Sequence, residues 1–345
     1  MRTRSFLARR LFGVTISTVS VLAASVLVAG CSSGTGSAAL TSSAAAPETP
    51  DITVAAIPAV DLAGLYIAQD RGLFAQQGLH VTIVPVPSSQ SVISQQLAGQ
   101  IDISAGSYVA YLAAQAAGAR FRILAEASTL SPDTRALVVT ANSRITTVSQ
   151  LAGRKIGVNG VNSIGTLLVA ALLSAHGISP NAVKFVTDPD GFPAMPGTLQ
   201  RDTWDAAFLA EPYITAAGQQ YGQLVLADLD QGAVLNLPVD GYVATQAWLR
   251  AHPATAAAFT RAVEQGQAIA NNDISAVQSI LARHDNLPPE VTGSMAMPSS
   301  YPVGPVVAAD IQRVAAAMLK FGVLSSRYAT VVGRGTLVRS MLSPG

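Results

Sequence analysis

The order of strands and helices in the middle of the chain occurs twice, and this repetition limits the possible folds more than any other feature. Residues 52–104 read as a strand, a helix ended by Gly78, a second strand and a third strand at Asp102. The same order recurs from Lys155, with Gly177 and Asp205 in the corresponding places. Such internal similarity indicates two related lobes, and strand–helix alternation makes each an α/β unit around a mostly parallel sheet. The alternative is that the two stretches resemble each other by chance, because strands and helices alternate in any α/β protein.

The predicted division of the chain follows from this repeat. Residues 51–140 begin lobe 1, residues 141–238 form lobe 2, and residues 239–345 return to lobe 1 with C-terminal helices that pack back onto it. The β-rich stretches 135–140 and 241–245 are predicted to be the two crossings between the lobes. Asp102 and Asp205 begin short buried strands at matching positions, and we interpret them as structural turn residues.

The first 31 residues have the layout of an export signal. Four arginines, at positions 2, 4, 9 and 10, precede an apolar run from Leu11 to Val28, and small residues lead to Cys31, the only cysteine of the chain. This pattern predicts a signal peptide over residues 1–30. Residues 31–50 are rich in Ser, Ala, Gly, Thr and Pro and are predicted to be a flexible linker.

The segment Val28-Ala29-Gly30-Cys31 resembles the lipobox of bacterial lipoproteins. The resemblance implies cleavage before Cys31 and lipidation of that residue, so that the mature protein is extracytoplasmic and anchored to the cell membrane. An uncleaved transmembrane helix and a small buried cysteine are the alternatives. The pair Arg9-Arg10 leaves both Sec and twin-arginine export open.

Composition excludes several classes of function. Cleavage after residue 30 removes four arginines and no acids, which leaves 17 basic against 20 acidic residues and a net charge of −3. Without a basic stripe, nucleic acid is not an expected partner. A single cysteine and four scattered histidines exclude an intramolecular disulfide and argue against a structural zinc site, so no metal and no cofactor are predicted.

Four motifs, in the same order along the chain, resemble the substrate-binding proteins of ABC importers in the nitrate, sulfonate, taurine and thiamine-precursor branch, an SsuA/THI5-like, NMT1-like family. They cover about residues 52–321 and are Ala63–Phe74 followed by Gly78–Val81, Leu97–Asp102, Leu151–Val158, and Trp204–Phe208 with Glu211–Tyr213. The resemblance implies a two-lobed periplasmic-binding-protein clamshell with two crossover strands. It also implies a monomer that holds a small ligand between its lobes and delivers it to a permease driven by a separate ATPase.

Polar residues follow the predicted strands where such a sheet would bind a ligand. In open α/β sheets, ligands lie beyond the carboxyl ends of the strands, at helix N-termini that favour anions. The candidates at these ends are Ser88, Ser89, Ser107, Asn159, Asn162, Ser163 and Thr166. Together they predict a cradle that binds an oxyanion without an arginine. Ordinary helix capping is the alternative for each of them.

Carboxylates and aromatic residues extend the candidate site. Asp61 and Glu211 stand near strand ends and could hold an ammonium or amide group of the ligand, and Asp240 is a weaker candidate. Aromatic side chains could stack on a planar ring, although such residues more often form the core or a cleft wall. The aromatic candidates are Tyr66, Tyr108 and Tyr242, and Phe192 and Tyr213 are further ones.

The predicted function is capture of a small oxyanion, such as a sulfonate, taurine or nitrate, for import. The same fold binding a thiamine-precursor pyrimidine or another heterocycle is the main alternative, and a tethered sensor is the second. An enzyme of the pyrimidine-synthase type is the third, but the chain lacks that enzyme's cysteine-rich motif. From residue 35 onward it also lacks the G-x-S-x-G, HExxH and GK[ST] motifs, so we do not predict an enzyme.

Overall fold

A computed structural model describes residues 45–342. The predicted signal peptide, Cys31 and most of the linker lie outside the described residues. Within the described part, no helix is both long and apolar enough to cross a membrane. Ten strands occur there: β1 (Asp51–Ala56), β2 (His80–Pro85), β3 (Ile103–Ser107), β4 (Phe121–Thr129), β5 (Arg135–Val139), β6 (Lys155–Val158), β7 (Lys184–Thr187), β8 (Ala206–Ala210), β9 (Leu224–Asp228) and β10 (Pro238–Thr245).

The strands form two sheets with equivalent topology. The first sheet has the order β2-β1-β3-β10-β4 and the second has β7-β6-β8-β5-β9. In each sheet the first three strands are parallel, and the fourth is antiparallel to both of its neighbours. That fourth strand comes from the other part of the chain, so β5 and β10 are exchanged. The internal repeat predicted from the sequence is therefore a repeat of sheet topology.

The two repeated aspartates perform the same task in the two sheets. The Asp102 carboxylate accepts a hydrogen bond from the Thr53 N–H at 2.8 Å, and Asp205 accepts one from the Lys155 N–H at 2.9 Å. Each aspartate also donates its own N–H to the carbonyl of the same partner residue. These bonds tie the start of the third strand to the first strand, as expected for structural turn residues.

The described residues also form fourteen α-helices, which cover both sheets. They are α1 (Ala63–Asp70), α2 (Leu73–Gln76), α3 (Ser89–Leu97), α4 (Tyr108–Ala116), α5 (Ile164–Ala175), α6 (Met195–Gln200), α7 (Tyr213–Tyr221), α8 (Gln246–Ala251), α9 (Pro253–Asn272), α10 (Ile274–His284), α11 (Pro289–Ser294), α12 (Ala308–Lys320), α13 (Ala329–Gly333) and α14 (Thr336–Leu342). Helices α1, α9 and α10 pack on one face of the first sheet, and α4, α12 and α14 pack on the other. The core on this second face is continuous with the core of the second sheet.

Two glycines allow α1 and α9 to cross at close range. A Cβ atom at Gly266 would lie 2.1 Å from the carbonyl oxygen of Gly64, and a Cβ atom at Gly64 would lie 2.6 Å from the Gln267 side chain. These distances are far below van der Waals contact, so a larger residue at either position would force the helices apart. The crossing fixes the long α9 helix, and with it α10, against the first lobe.

The position of β5 differs from the predicted lobe boundary. The sequence predicts that residues 135–140 still belong to the first lobe. In the structure, all five residues of β5 are buried, and the strand hydrogen-bonds to β8 and β9 in the second sheet. The two connections between the sheets therefore run through residues 130–134 and 229–237.

The C-terminal part of the chain contacts both lobes rather than the first lobe alone. Helix α10 packs on α1 and α9, whereas α11 packs on α7 of the second lobe. The Gln219 side chain on α7 donates a hydrogen bond to the Ser294 hydroxyl at 2.9 Å. Further on, the Ser299 N–H donates to the Ser131 hydroxyl at 2.7 Å. Residues 285–299, which we call the strap, thus form a third link between the lobes.

Candidate ligand-binding site

The carboxyl ends of the parallel strands of the two lobes face each other. We call the region between them the interlobe cleft; the segments that follow the strand ends there are residues 57–61, 86–90, 105–108, 159–163 and 211–213. The Val60 N–H of the first lobe donates to the Glu211 carbonyl of the second at 3.1 Å. The Gln90 amide donates to the Asn162 carbonyl at 2.6 Å. Helices α3, α4, α5 and α7 all begin at this cleft, so their N-terminal N–H groups and partial positive charges point into it.

A glycine allows the lobes to approach each other beside this contact. A Cβ atom at Gly160 would lie 2.4 Å from the side-chain oxygen of Gln90 and 3.2 Å from the Cβ atom of Ser88. A larger residue at position 160 would therefore separate α3 from the end of β6. The close approach buries the hydroxyl groups predicted from the sequence.

The three serines of the first lobe serve the ends of its helices. The Ser88 hydroxyl accepts a hydrogen bond from the Ser91 N–H, and the Ser107 hydroxyl accepts one from the Val109 N–H, both at 3.3 Å. The Ser89 hydroxyl accepts from the Ser107 N–H at 2.9 Å. All three side chains are buried. A hydroxyl that accepts from the backbone keeps a hydrogen to donate, so capping and ligand binding are compatible here.

The second lobe contributes two buried polar atoms that lack a partner. The side-chain oxygen of Asn159 has no hydrogen-bond partner among the described residues; the Ser163 hydroxyl faces the Thr166 N–H as in a capping box but lies outside hydrogen-bonding geometry. The Thr166 hydroxyl instead donates to the Ser163 carbonyl at 2.8 Å and accepts from the Ser163 N–H at 3.1 Å. The residue Asn162 is exposed, and its backbone is left-handed with a φ of +55°. Only its carbonyl reaches across to the other lobe, so its side chain is not brought into the cleft.

Three buried tyrosines of the described chain have hydroxyls without partners; Tyr108 and Tyr213 belong to the core that joins the two sheets, and Tyr242 belongs to the core under α1 and α9. The hydroxyls of Tyr108 and Tyr242 from the first lobe and of Tyr213 from the second are buried and unpartnered among the described residues. Burial raises the pKa of all three phenols, and the charge of Asp240 raises the pKa of Tyr108 and Tyr242 further. Tyr66 lies close enough to add to the raised pKa of both Tyr242 and Tyr213. These phenols are neutral at physiological pH and can donate hydrogen bonds.

Asp61 forms a buried ion pair that the sequence did not suggest. Its carboxylate accepts hydrogen bonds from Arg135 and from the Ser128 hydroxyl, and both charged side chains are almost completely buried. The Arg135 guanidinium also donates to the Thr134 carbonyl at 2.7 Å, while its Nε has no partner among the described residues. The sequence predicts Asp61 as a partner for an ammonium or amide group of the ligand, in a site that needs no arginine. The structure instead gives Asp61 an internal cation, because a buried guanidinium needs a counter-charge.

Asp240 is a second buried carboxyl group beside this pair. It lies on β10 opposite Ser107 and Ser128. Burial raises its pKa to about 8, the negative charge of Asp61 adds to this shift, and the positive charge of Arg135 opposes it. At neutral pH the group is therefore mainly protonated and can donate a hydrogen bond. The sequence marked this residue only as a weak candidate.

The Glu211 carboxylate is held by three hydrogen bonds. It accepts from the Thr215 N–H at 3.1 Å and from the Thr215 hydroxyl at 2.8 Å. A third bond, also 3.1 Å long, comes from the Ala296 N–H of the strap. Burial raises its pKa, while these bonds and the charge of Arg135 lower it. The bond from Ala296 makes this predicted site residue a contact between the second lobe and the strap.

Asp285 on the strap was not predicted from the sequence. One of its carboxylate oxygens is buried without a hydrogen-bond partner among the described residues, and burial raises its pKa to about 7. Its negative charge raises the pKa of Tyr66 in the first lobe and of Tyr213 in the second, in addition to the effect of burial on each. In the sequence, Asp285 is a single acidic residue between the end of a helix and Asn286. Nothing there distinguishes it from an ordinary residue of a surface turn.

No group of three histidine, cysteine, aspartate or glutamate residues that could hold a metal ion occurs between residues 45 and 342. The described polar groups of the cleft are instead suited to hydrogen-bonding an organic molecule or an oxyanion. Neutral hydroxyls and helix N-termini supply donors, while carboxylate and amide oxygens supply acceptors.

Solved structures with the same fold include several binding proteins. The alkanesulfonate-binding protein SsuA from Xanthomonas axonopodis pv. citri, solved bound to MOPS, superposes with a TM-score of 0.71 at 20% identity, covering 81% of this chain and 96% of that one. The periplasmic nitrate-binding protein NrtA from Synechocystis PCC 6803 gives a TM-score of 0.71 at 15% identity, covering 86% and 89%. The chain thus has the two-lobed periplasmic-binding-protein fold.

An enzyme shares this fold as well. The desulfurization enzyme DSZB superposes with a TM-score of 0.57 at 17% identity, covering 80% of this chain and 93% of that one. The fold alone therefore does not decide between binding and catalysis.

Comparison at the sequence level gives a family assignment. A search of curated proteins found no match. Residues 59–273, more than half of the chain, match the family model described as NMT1/THI5 like. The matched region runs from the cleft residues before α1, through β2 to β10, to the end of α9. The chain therefore belongs to the NMT1/THI5-like family.

Proposed function

We propose that this protein is the extracytoplasmic solute-binding lipoprotein of an ABC importer. It captures a small molecule in the interlobe cleft and delivers it to a membrane permease driven by a separate ATPase. The observation that carries this proposal is the set of unpartnered buried polar atoms from both lobes, on Tyr108, Tyr242, Asn159, Ser163 and Tyr213. Buried polar groups are normally hydrogen-bonded, so a ligand that joins the two lobes accounts for these atoms.

The chemistry of the donors supports a small oxyanion as the ligand, of the sulfonate, taurine or nitrate type. The N-termini of α3, α4 and α5 provide partial positive charge, and the phenol and serine hydroxyls provide neutral donors. Asp240, with its pKa of about 8, adds another donor below that pH. The names of two proteins with this fold, an alkanesulfonate binder and a nitrate binder, agree with this class of ligand.

A heterocycle such as a thiamine-precursor pyrimidine is the second candidate, and the aromatic residues of the cleft favour it. Tyr66 and Tyr213 approach from the two lobes, and Phe192 stacks on Tyr213 with ring centroids 6.1 Å apart. Such a wall fits a flat ring as well as it fits an alkyl chain.

The cellular setting is part of the same proposal. Export, cleavage before Cys31 and lipid attachment there would hold a monomeric binding protein at the outer face of the cell membrane, near its permease. A tethered sensor would use the same cleft without transport. An enzyme would convert the bound molecule, so a ligand recovered unchanged after long incubation supports a binding protein.

The test is a binding panel with the mature protein. Thermal shift and isothermal titration calorimetry would be run with taurine, alkanesulfonates, nitrate, hydroxymethylpyrimidine and riboflavin. One compound should raise the melting temperature. Its affinity should fall about tenfold in Tyr213→Phe and in Ser163→Ala, since each loses one hydrogen bond to the ligand. The variant Tyr221→Phe, which alters an exposed tyrosine, is the control.

Two results would contradict the proposal. The first is that no compound of the panel binds. The second is that a compound binds while both cleft variants keep the affinity of the wild type.

A further inference from the structure

The backbone at Asp285 is held in a defined place next to the cleft. Asp285 follows directly after α10, and its N–H donates to the Leu281 carbonyl at 2.9 Å, which completes the last turn of the helix. The next residue, Asn286, has a φ of +52° and reverses the chain into the strap. This turn leaves the Asp285 side chain on the side of α10 that approaches the tyrosines of the two lobes.

An ionic cluster anchors this turn to the first lobe. The Asp70 carboxylate at the end of α1 accepts from the Arg283 guanidinium at 2.6 Å and contacts the His284 ring nitrogen Nε2 at 3.0 Å. The His284 ring in turn lies on the Tyr66 ring, with centroids 4.6 Å apart. The two residues before Asp285 are therefore used for attachment to α1, and Asp285 itself takes no part in that attachment.

The Asp285 carboxylate is close to both lobes at once. Its charge acts on Tyr66 from α1 and on Tyr213 from α7, and these two phenols act on each other. The other charged groups around the turn are Arg283 and His284, and both pair with Asp70. One carboxylate oxygen of Asp285 thus remains buried and unpartnered between aromatic residues of opposite lobes.

The Asp285 residue is half-buried as a whole, and the oxygen that is buried without a partner is unfavourable when charged, because it loses its hydration without compensation. A cationic N–H group restores the lost hydrogen bond and the opposite charge. Aromatic rings beside it also favour a cation over a neutral group. An oxyanion at the same place would instead be repelled by the ionised carboxylate.

On this basis we infer that Asp285 is a specificity-determining residue that recognises an ammonium or amino N–H group of the ligand, between Tyr66 and Tyr213. The inference rests on the proposed function and narrows it. Among oxyanions, we expect the site to prefer those with an amino group, such as taurine, over nitrate. Among heterocycles, we expect it to prefer aminopyrimidines over their deaminated analogues.

The test compares ligands that differ only in the amino group, by calorimetry at pH 8. The pairs are taurine with isethionate, and 4-amino-5-hydroxymethyl-2-methylpyrimidine with its 4-hydroxy analogue. The wild type should bind the amino member of one pair at least about tenfold more tightly, as expected for a hydrogen bond to a charged group. Asp285→Asn should abolish this preference and leave the affinity for the deaminated member within about threefold. Glu290→Gln, which alters an exposed acid on α11, is the matched control.

A second readout needs no variant. Because the pKa of Asp285 is about 7, lowering the pH from 8 to 6 protonates the group and should reduce the taurine-to-isethionate affinity ratio by up to about tenfold. The ratio cancels the titration of groups that face the sulfonate, such as Asp240.

Equal affinity of the wild type for both members of each pair would overturn the inference and leave the proposed function standing. A preference for the amino member that persists in Asp285→Asn would also overturn it. If no ligand of either pair and no compound of the wider panel binds the wild type, both the inference and the proposed function are wrong.

Discussion

Replacing Asp240 by asparagine should make the stability of the protein less dependent on pH. The folded protein keeps the Asp240 proton up to a pH of about 8, whereas the unfolded chain loses it near the usual value of 3.8. Between these two values unfolding releases this proton, so the contribution of Asp240 to stability falls as the pH rises. The slope for one such group is about 1.4 kcal/mol per pH unit, and it vanishes above the pKa of the folded state.

The variant isolates this contribution because asparagine has nearly the shape of a protonated aspartic acid but cannot ionise. Relative to the wild type, Asp240→Asn should gain about 3 kcal/mol between pH 5 and pH 7. For a chain of this size the gain corresponds to a relative increase in melting temperature of roughly 5 °C. Other carboxyl groups with raised pKa values, such as Glu211 and Glu126, change both proteins equally and cancel in the difference.

The assay is calorimetric or fluorescence-monitored thermal unfolding of both proteins at half-unit steps from pH 5 to pH 9. Asp202→Asn, at an exposed loop position where asparagine also tolerates the left-handed backbone, is the control and should follow the wild type at every pH. If the difference between Asp240→Asn and the wild type stays constant from pH 5 to pH 7, the Asp240 carboxyl is not protonated in the folded protein. The reasoning about this buried cluster would then be wrong.

Three further substitutions test other parts of the structure. Gly266→Ala should lower the free energy of unfolding by about 2–3 kcal/mol in urea titrations, because it overpacks the crossing of α1 and α9. The control Gly293→Ala, where a Cβ atom meets open space, should leave the free energy of unfolding unchanged. Equal stability of the two variants would contradict the close crossing. Arg135→Met should lower the free energy of unfolding by about 3–5 kcal/mol, because it leaves the buried Asp61 carboxylate unpaired. Adding Asp61→Asn to this variant should restore most of that free energy. If it does not, the two residues are not paired. Gln90→Ala removes a hydrogen bond between the lobes, worth about 1 kcal/mol, and should increase the radius of gyration of the ligand-free protein in small-angle scattering. An unchanged radius would mean that this bond does not hold the lobes together.

Local patterns in the sequence were enough to predict the α/β architecture. Periodic apolar residues and glycine stops mark the helices, and the repeated pattern around Asp102 and Asp205 reflects identical hydrogen bonds in the two sheets. The polar residues at the strand ends were predictable for the same reason, because chain order alone puts them at helix N-termini. The serines among them prove to be both buried and engaged in capping.

The charged groups of the cleft could not be predicted in this way because their environment depends on distant parts of the chain. Arg135 meets Asp61 only because β5 leaves the first sheet for the second. Asp285 reaches the cleft only because the C-terminal part of the chain also contacts the second lobe, through the strap. The sequence predicted that this part packs on the first lobe. Neither arrangement leaves a periodic pattern in the sequence.

The exchange of β5 and β10 also sets an order in which the protein can fold. The second sheet is complete within one continuous stretch of chain, residues 135–228, so it can assemble as soon as that stretch is available. The first sheet cannot, because β10 must enter between β3 and β4, more than a hundred residues after β4. Until residue 245 is in place, β3 and β4 expose unpaired edges that favour aggregation. A chain that emerges N-terminus first therefore needs its residues up to 245 before its first lobe, and with it the interlobe cleft, can close.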